Sequence, residues 1–217
     1  MRQFELMDAV NIWFVENERS ARRFLRKTGY RKDFDTLPMR VLDKNTESNA
    51  LKLYIKELST LGIGAILSEA GCPGIADPGA ALVSEAQKQG IDVVALSGPS
   101  SILLTLMASG LNGQHFTFHG YLPIKPDERL KKIKALDAEV QKNGSAQIFI
   151  ETPYRNNALL NDLTANCNSE HILCIGKDLT ANQGWTRSKK IKDWSISAPD
   201  LHKIPAVFIL GKNVYHI

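Results

Sequence analysis

The chain has 217 residues, 43% of them hydrophobic, which excludes an intrinsically disordered chain and suits one large or two small domains. Its 27 basic and 23 acidic residues give a net charge of +4, which permits an anionic partner without requiring one. Three cysteines without C-x-x-C spacing, no apolar run of spanning length and no signal-peptide pattern exclude a zinc or disulfide framework and predict a cytoplasmic protein.

Helical patterns alternate with short apolar runs along the chain, which is typical of α/β architecture with parallel strands. Thr46 is expected to cap a long helix, and the run from Ile63 to Leu67 is apolar enough for a strand buried on both faces. The predicted strands are 11–15, 63–67 and 91–96, and the predicted helices are 17–27, 46–61, 78–90 and 100–109.

The alternation of helical patterns and apolar runs becomes less regular after Asn112-Gly113. We predict a domain boundary there that separates domains 1–112 and 113–217. In the second domain the predicted strands are 116–119, 146–150, 172–175, a region within 185–194, and 206–210, and the predicted helices are 127–142 and 154–165.

Two loops each connect a predicted apolar strand to the helix that follows it. Open α/β sheets bind ligands at this position, beyond the carboxyl ends of their strands. The first, from Ser68 to Gly79, contains glycines that allow close backbone approach and prolines that stiffen it. In the second, Ser97 to Ser101, the hydroxyls of Ser100 and Ser101 could cap a helix or bind a ligand. Because dinucleotide and P-loop patterns are absent, the spacing alone predicts only a small-molecule site, with ordinary strand-to-helix turns as the alternative.

The first loop reads LSEAGCPGIADPG (67–79) and resembles the SDAGTP-(x)n-SDPG pattern of the ribosomal RNA small-subunit methyltransferase I family, within the tetrapyrrole methylase superfamily. Four further segments resemble elements of that family, in the same order along the chain. VENERSARRFL (15–25) resembles its EDTRxxxxLL element, and VVALSGPSSILLTLMASGL (93–111) resembles its strand, Gly-Pro turn and helix. FHGYLPIKPDER (118–129) resembles its GFLPxK segment, and FIETPYRN (149–156) resembles its FYESxxR segment.

This resemblance implies two α/β domains with the cofactor cleft between them, S-adenosyl-L-methionine as cofactor, and commonly a homodimer. Family members begin with a strand and a T-P-I/L-G loop, which have no counterpart before Met1, so the resemblance implies that the first strand is missing. Cys72 replaces the family's usual Thr, and Glu69 its Asp. The implied cofactor-binding residues are Gly71, Cys72, Pro73, Gly74, Ile75, Ser100, Ser101, Ile102, Ile150, Pro205 and Ala206.

A ribose hydroxyl is a poor nucleophile, so a methyltransferase acting on it needs a base or a hydrogen-bonding partner. The matched segments offer Glu151, Lys125 and Glu69 as catalytic candidates, with a capping or ion-pair carboxylate as the alternative for Glu151 and a solvated lysine for Lys125. Arg155, four residues beyond Glu151, could bind phosphate bidentately or pair with Glu151.

Basic residues at helical spacing in the first predicted helix suit RNA phosphates, although a solvated face balanced by glutamates is an equal alternative. They are Arg19, Arg22, Arg23 and Arg26, with Ala21, Phe24 and Leu25 expected on the opposite side. A second basic cluster could bind single-stranded RNA beside two tryptophans, which are more commonly core residues. It comprises Arg187, Lys189, Lys190 and Lys192, near Trp185 and Trp194.

We therefore expect a methyltransferase that 2′-O-methylates a ribose in small-subunit ribosomal RNA, with ribosomal RNA or the small subunit as partner and no metal, because the histidines lack ligand spacing. The alternatives are a methyltransferase for a tetrapyrrole or another small acceptor, and a truncated, catalytically silent RNA-binding or scaffold protein.

Overall fold

The computed structural model describes residues 2–213, with side chains from residue 6 onward. These residues form two compact units, one ending at Pro99 and the other beginning at Ser100. The predicted boundary at residue 112 lies further along the chain. The helix before it belongs to the second unit, where the Ser188 hydroxyl on a later strand donates a hydrogen bond of 2.7 Å to the Ser109 carbonyl.

The first unit is a parallel three-stranded sheet with helices, in the strand order β2-β1-β3. Neither the first helix nor the second strand is predicted from the sequence. The elements are α1 (Arg2–Ala9), β1 (Ile12–Val15), α2 (Glu18–Lys27), β2 (Met39–Val41), α3 (Ser48–Leu61), β3 (Gly64–Leu67) and α4 (Ala80–Lys88).

The second unit is built on a mixed five-stranded sheet in the order β4-β5-β8-β6-β7. Among the described strands of this sheet only β4 and β5 are parallel, because β8 inserts antiparallel to both β5 and β6, so the expectation of parallel strands is wrong here. The elements are α5 (Ser101–Ser109), β4 (Phe116–Tyr121), α6 (Pro126–Asn143), β5 (Ala146–Ile150), α7 (Asn156–Asn166), β6 (Ile172–Lys177), β7 (Trp185–Lys190), α8 (Ile191–Ile196) and β8 (Ala206–Gly211).

Residues on alternate sides of the central strands build two apolar layers in the second unit. Phe149 and Phe208 stack at a centroid distance of 6.0 Å and face the layer of α6, α7 and α8. Ile148 and Ile209 point the other way, into the cluster that contains Leu106 of α5. The sheet is therefore covered on both faces, which fixes the ends of its strands.

Helix α2 begins as predicted, since the Asn17 side chain accepts hydrogen bonds from Arg19 N and Ser20 N at 2.9 and 3.1 Å. The predicted cap at Thr46 is wrong. Its hydroxyl accepts a hydrogen bond from Asp43 N at 2.9 Å in the preceding turn, and α3 starts after Glu47.

Two strand predictions in the first unit are also wrong. The residues of β3 are only half-buried, because β3 is the last strand of its sheet within the described residues. The segment 91–96 is not a strand. Among residues 2–213, Asp92 to Leu96 form no backbone hydrogen bonds, and the Val94 and Leu96 side chains are 77% and 58% exposed. An apolar run without a neighbouring strand cannot satisfy its backbone as sheet. No helix within 2–213 has both the length and the apolar character to cross a bilayer.

Candidate functional site

The loop between β3 and α4 exposes a glycine-rich backbone. Gly71 and Gly74 have φ angles of 78° and 80°, values that side-chain-bearing residues rarely adopt. Within the loop, Ile75 N donates to the Cys72 carbonyl at 3.1 Å and Gly74 N to the Pro78 carbonyl at 3.3 Å. The Ile75 side chain remains 51% exposed. The loop thus has a defined internal shape while presenting apolar surface and main chain outward.

Helix α2 and the residues before it hold the start of this loop. Glu69 N donates to a carboxylate oxygen of Glu16 at 2.9 Å, and the Ser20 hydroxyl donates to the Glu69 carboxylate. Burial, and then the charge of Glu16, raises the pKa of Asp77 above its ordinary value. Because the Glu69 carboxylate accepts a hydrogen bond from Ser20, Glu69 anchors the loop to helix α2 in this structure.

The two loops singled out in the sequence meet within the first unit, where the Cys72 thiol lies 3.8 Å from the Pro99 carbonyl and donates a weak hydrogen bond to it. In the second unit, the Ser100 hydroxyl accepts a hydrogen bond from Leu103 N at 3.5 Å, so the helix-cap interpretation of Ser100 is confirmed. Ser101 is exposed, and its carbonyl accepts a hydrogen bond from the Thr105 hydroxyl at 2.7 Å.

The remaining predicted cofactor residues lie together in the second unit. Ile102 and Ile150 are partly buried and pack against the same apolar cluster. Ile150 ends β5 opposite Val207 of β8, so Pro205 and Ala206 lie at the same end of the sheet. The Pro205 carbonyl accepts a hydrogen bond from Asp178 N at 2.9 Å.

Glu151 follows β5 at this sheet end, and its side chain is fully buried. One carboxylate oxygen accepts hydrogen bonds from Thr152 N and an Arg155 Nη, both at 2.6 Å. The sequence left phosphate binding and pairing with Glu151 open for Arg155, and in this structure Arg155 pairs. Its side chain remains 33% exposed, so the pair still borders solvent.

Three buried polar atoms around this pair have no hydrogen-bond partner within the described residues: Glu151 Oε2, Arg155 Nε and Asn156 Oδ1. Buried polar groups are nearly always satisfied, so such a concentration over six residues points to a polar ligand or water. Asn156 is not among the residues that the sequence predicts for the site. Its amide donates to the Ile204 carbonyl at 2.7 Å, and its only sequence signal is that it follows Arg155 directly.

Lys125 and the arginines of α2 behave differently from this buried group. The Lys125 side chain is 79% exposed, and its ammonium lies 3.2 Å from the Glu128 carboxylate. Arg22 pairs with Glu18 at 3.3 Å, and the Arg26 guanidinium lies 4.4 Å from the Phe34 ring centroid. The two remaining arginines, Arg19 and Arg23, are exposed, and neither forms an ion pair within the described side chains.

The residues expected on the side of α2 opposite the arginines differ in their burial. Ala21 and Leu25 are buried, but Phe24 is 48% exposed. A depression of about 420 Å³ beside the helix is lined by Glu18, Arg22 and Phe34, among other residues. Of the four arginines predicted to share a helix face, Arg22 and Arg26 pack against neighbours, while Arg19 and Arg23 have no ion-pair partner in the described part of the chain.

No family profile matches the sequence. The sequence is 32% identical over 179 residues to the ribosomal RNA small subunit methyltransferase I of Vibrio cholerae, covering 82% of this chain and 59% of that protein. It is 35% identical over 183 residues to the protein of the same name from Mesorhizobium japonicum, covering 83% and 58%. The chain thus spans about three fifths of the length of these relatives.

Two solved structures share the fold. A methyltransferase described as CobJ matches with a TM-score of 0.61 and 15% identity, over 95% of this chain and 84% of that one. The cobalt precorrin-4 methyltransferase CbiF matches with a TM-score of 0.59 and 10% identity, over 97% of this chain and 87% of that one.

A ribosomal RNA small subunit methyltransferase I from Borrelia garinii is 30% identical over 82% of this chain and 75% of its own length. The chain belongs to the ribosomal RNA small subunit methyltransferase I family.

Proposed function

We propose that this protein is an S-adenosyl-L-methionine-dependent methyltransferase that 2′-O-methylates a ribose in small-subunit ribosomal RNA, acting as a cytoplasmic homodimer. Membership in a family whose relatives bear the name ribosomal RNA small subunit methyltransferase I carries the proposal. The free thiols of Cys72, Cys167 and Cys174 agree with a reducing compartment. Light scattering at micromolar concentration tests the dimer.

The loop after β3 fits the proposed cofactor because Gly71 and Gly74 bring its main chain towards the surface and have room where a side chain would stand. A Cβ on Gly74 would meet no atom closer than Ala80 N at 3.6 Å. In the first unit the binding residues are Gly71, Cys72, Pro73, Gly74 and Ile75. In the second they are Ser100, Ser101, Ile102, Ile150, Pro205 and Ala206. The bound cofactor supplies an electrophilic methyl group on a sulfonium.

For the protein, the chemical task is to hold the ribose hydroxyl in line with that methyl group and to remove its proton. We assign the proton acceptor to Glu151, whose Oε2 is buried and has no partner in the described part of the chain, while Oε1 is fixed by Arg155. A substrate hydroxyl that donates to Oε2 would satisfy that atom. Lys125, exposed on its loop, is the second catalytic candidate and would act on the RNA charge.

RNA binding falls to cations of both units in this proposal. The Arg155 side chain is 33% exposed at the sheet end, and Arg19 and Arg23 lie exposed on α2 without an ion pair among the described side chains. Arg22 contributes through the same helix face, although Glu18 partly balances its charge. Arginine suits this role because its planar group binds phosphate oxygens bidentately.

Transfer of tritium from methyl-labelled cofactor to purified small ribosomal subunits tests the function. We expect label in the RNA at a linkage that resists alkaline hydrolysis, because a 2′-O-methyl group blocks attack by the ribose hydroxyl. Glu151→Gln should lower the rate by about 10²–10⁴-fold, as loss of a general base does, and Lys125→Gln by far less. Label that appears in a base, or only in an added tetrapyrrole, would contradict the proposal and favour another acceptor.

A further inference from the structure

The edge strand β7 carries a row of cations on one face. Residues 185, 187 and 189 share this face because side chains alternate along a strand, and Lys177 of β6 is paired directly with Trp185. The Arg187 guanidinium lies 4.7 Å and the Lys177 ammonium 5.8 Å from the Trp185 ring centroid, and the Lys189 ammonium lies 4.8 Å from that of Trp194. We call Lys177, Trp185, Arg187, Lys189 and Trp194 the β7 face.

The aromatic base of this face is rigid. Trp194 is 1% exposed, and its indole N–H donates a hydrogen bond of 2.8 Å to the Leu173 carbonyl. Trp185 stacks on it at a centroid distance of 6.4 Å and an interplanar angle of 18°. The cations above these rings are therefore held on a fixed surface instead of on a mobile loop.

The charges of the β7 face are largely unneutralised, in contrast to those of its neighbours. Lys190 and Lys192 both pair with the Glu170 carboxylate, at 2.7 and 2.5 Å. Within the described side chains, no carboxylate lies within ion-pair distance of Lys177, Arg187 or Lys189. The Lys189 ammonium donates to the Ser197 hydroxyl at 3.1 Å, which leaves its charge uncompensated.

Lys177 is the weakest member of the row. Hydrogen bonds from Asn157 and His202 lower the pKa of Asp200, and the Lys177 charge acts on Asp200 in the same direction. Lys177 is therefore partly balanced, and Arg187 and Lys189 supply most of the field.

We propose that the β7 face is a binding surface for single-stranded RNA, an inference that rests on the proposed function for the presence of RNA. A row of positive charges along a strand matches a linear polyanion, and binding releases the counterions of the phosphates. The Arg187 guanidinium, already over Trp185, presents its outer plane to an unstacked base. A duplex offers no such base, so single strands bind preferentially.

The other explanation for these residues is protection of an exposed sheet edge, because charged side chains keep edge strands from pairing with other chains. That explanation predicts aggregation of a neutralised variant and no change in RNA binding. The two accounts therefore differ in a measurable quantity.

Fluorescence anisotropy with a labelled single-stranded RNA of about 16 nucleotides, titrated between about 50 and 200 mM KCl without cofactor, tests the proposal. For the combined variant Lys177→Gln, Arg187→Gln and Lys189→Gln, we expect an affinity loss of about tenfold or more. The slope of log affinity against log salt should fall by about 2, since each phosphate contact on a single strand contributes about 0.7.

The matched control is Lys190→Gln with Lys192→Gln, which removes two lysines from the same strand and the following helix that are already paired. Equal losses in the two variants, or an unchanged slope in the first, overturn the proposal. Arg187→Lys retains the charge without the plane and should bind a few-fold more weakly at an unchanged slope. Cofactor binding by each variant is measured in parallel, so a failure of the β7 face is distinguished from a failure of the proposed function.

Discussion

The two sheets of this protein differ in how completely their strands are paired and buried. In the second unit, Phe149 and Phe208 lie at the centre of a five-stranded sheet that is covered on both faces. In the first, the sheet has three strands, β3 is half-buried, and residues 92–96 lie exposed without backbone pairing in the described chain. This difference shows that the second unit can hold the buried Glu151–Arg155 pair in a fixed position, whereas the first unit has an exposed loop after β3.

The largest expected contrast is in native-state hydrogen exchange. Amides of β8 should exchange only through global unfolding, which is on the order of 5–15 kcal/mol for a domain, because their partners lie on both sides. Amides of 92–96 should exchange close to unfolded rates because no carbonyl of residues 2–213 accepts from them. Exchange detected by mass spectrometry checks this.

Trp13 and Phe14 of β1 are the internal control, since their strand is paired on both sides within the first unit. They should be protected well above 92–96. Protection of 92–96 as strong as that of β1 would show that this segment pairs with a strand after all and would break the comparison.

An intermediate effect is expected from the ion pairs of the two units. Glu151→Gln should lower the free energy of unfolding by about 1–3 kcal/mol, because it weakens a charge-assisted hydrogen bond to a fully buried carboxylate. Arg22→Gln breaks the exposed Glu18 pair and should change it by less than about 0.5 kcal/mol. Urea denaturation measures both, and equal effects would contradict the difference in burial.

The smallest effect concerns pH and His119 of β4. Burial lowers the pKa of His119, with the charge of Lys132 acting the same way and the hydrogen bond to Gln147 opposing them. The folded state then binds this proton less well than the unfolded state, so the contribution is present above pH 6.5 and lost as pH falls through the lowered pKa. His119→Gln should have a flatter stability profile below pH 6.5, measured by thermal unfolding, and an unchanged profile would remove His119 as the cause.

The sequence predicts local elements best where burial and periodicity agree. The strand Ala146–Ile150 has the predicted limits, because four of its residues are buried and the apolar run coincides with the strand. The segment 91–96 has the same local signal and is not a strand, because pairing depends on a distant neighbour that local pattern does not reveal. The short strand Met39–Val41 was missed for the converse reason, since its pairing with β1 outweighs a weak signal.

For the candidate site, the sequence predicted the residues better than their relations. The spacing of Glu151 and Arg155 left pairing and phosphate binding equally open, and the 2.6 Å contact between the Arg155 guanidinium and the buried Glu151 carboxylate shows that the pair forms. Likewise, the tryptophans near Arg187 could have been core or stacking residues. Trp194 is core, while Trp185 supports the Arg187 guanidinium, a division set by the alternation of β7 and the position of α8.

Our central proposal is that the loop after β3 binds S-adenosyl-L-methionine. Calorimetric titration of the protein with this cofactor tests the proposal most directly. Gly74→Val and the control Gly90→Val both place a side chain at positive φ, 80° and 69°, so they share the backbone strain but only the first alters the loop. We predict that the natural chain and Gly90→Val bind the cofactor and that Gly74→Val does not. Equal binding by the two variants, or no binding heat from the natural chain, would contradict the account.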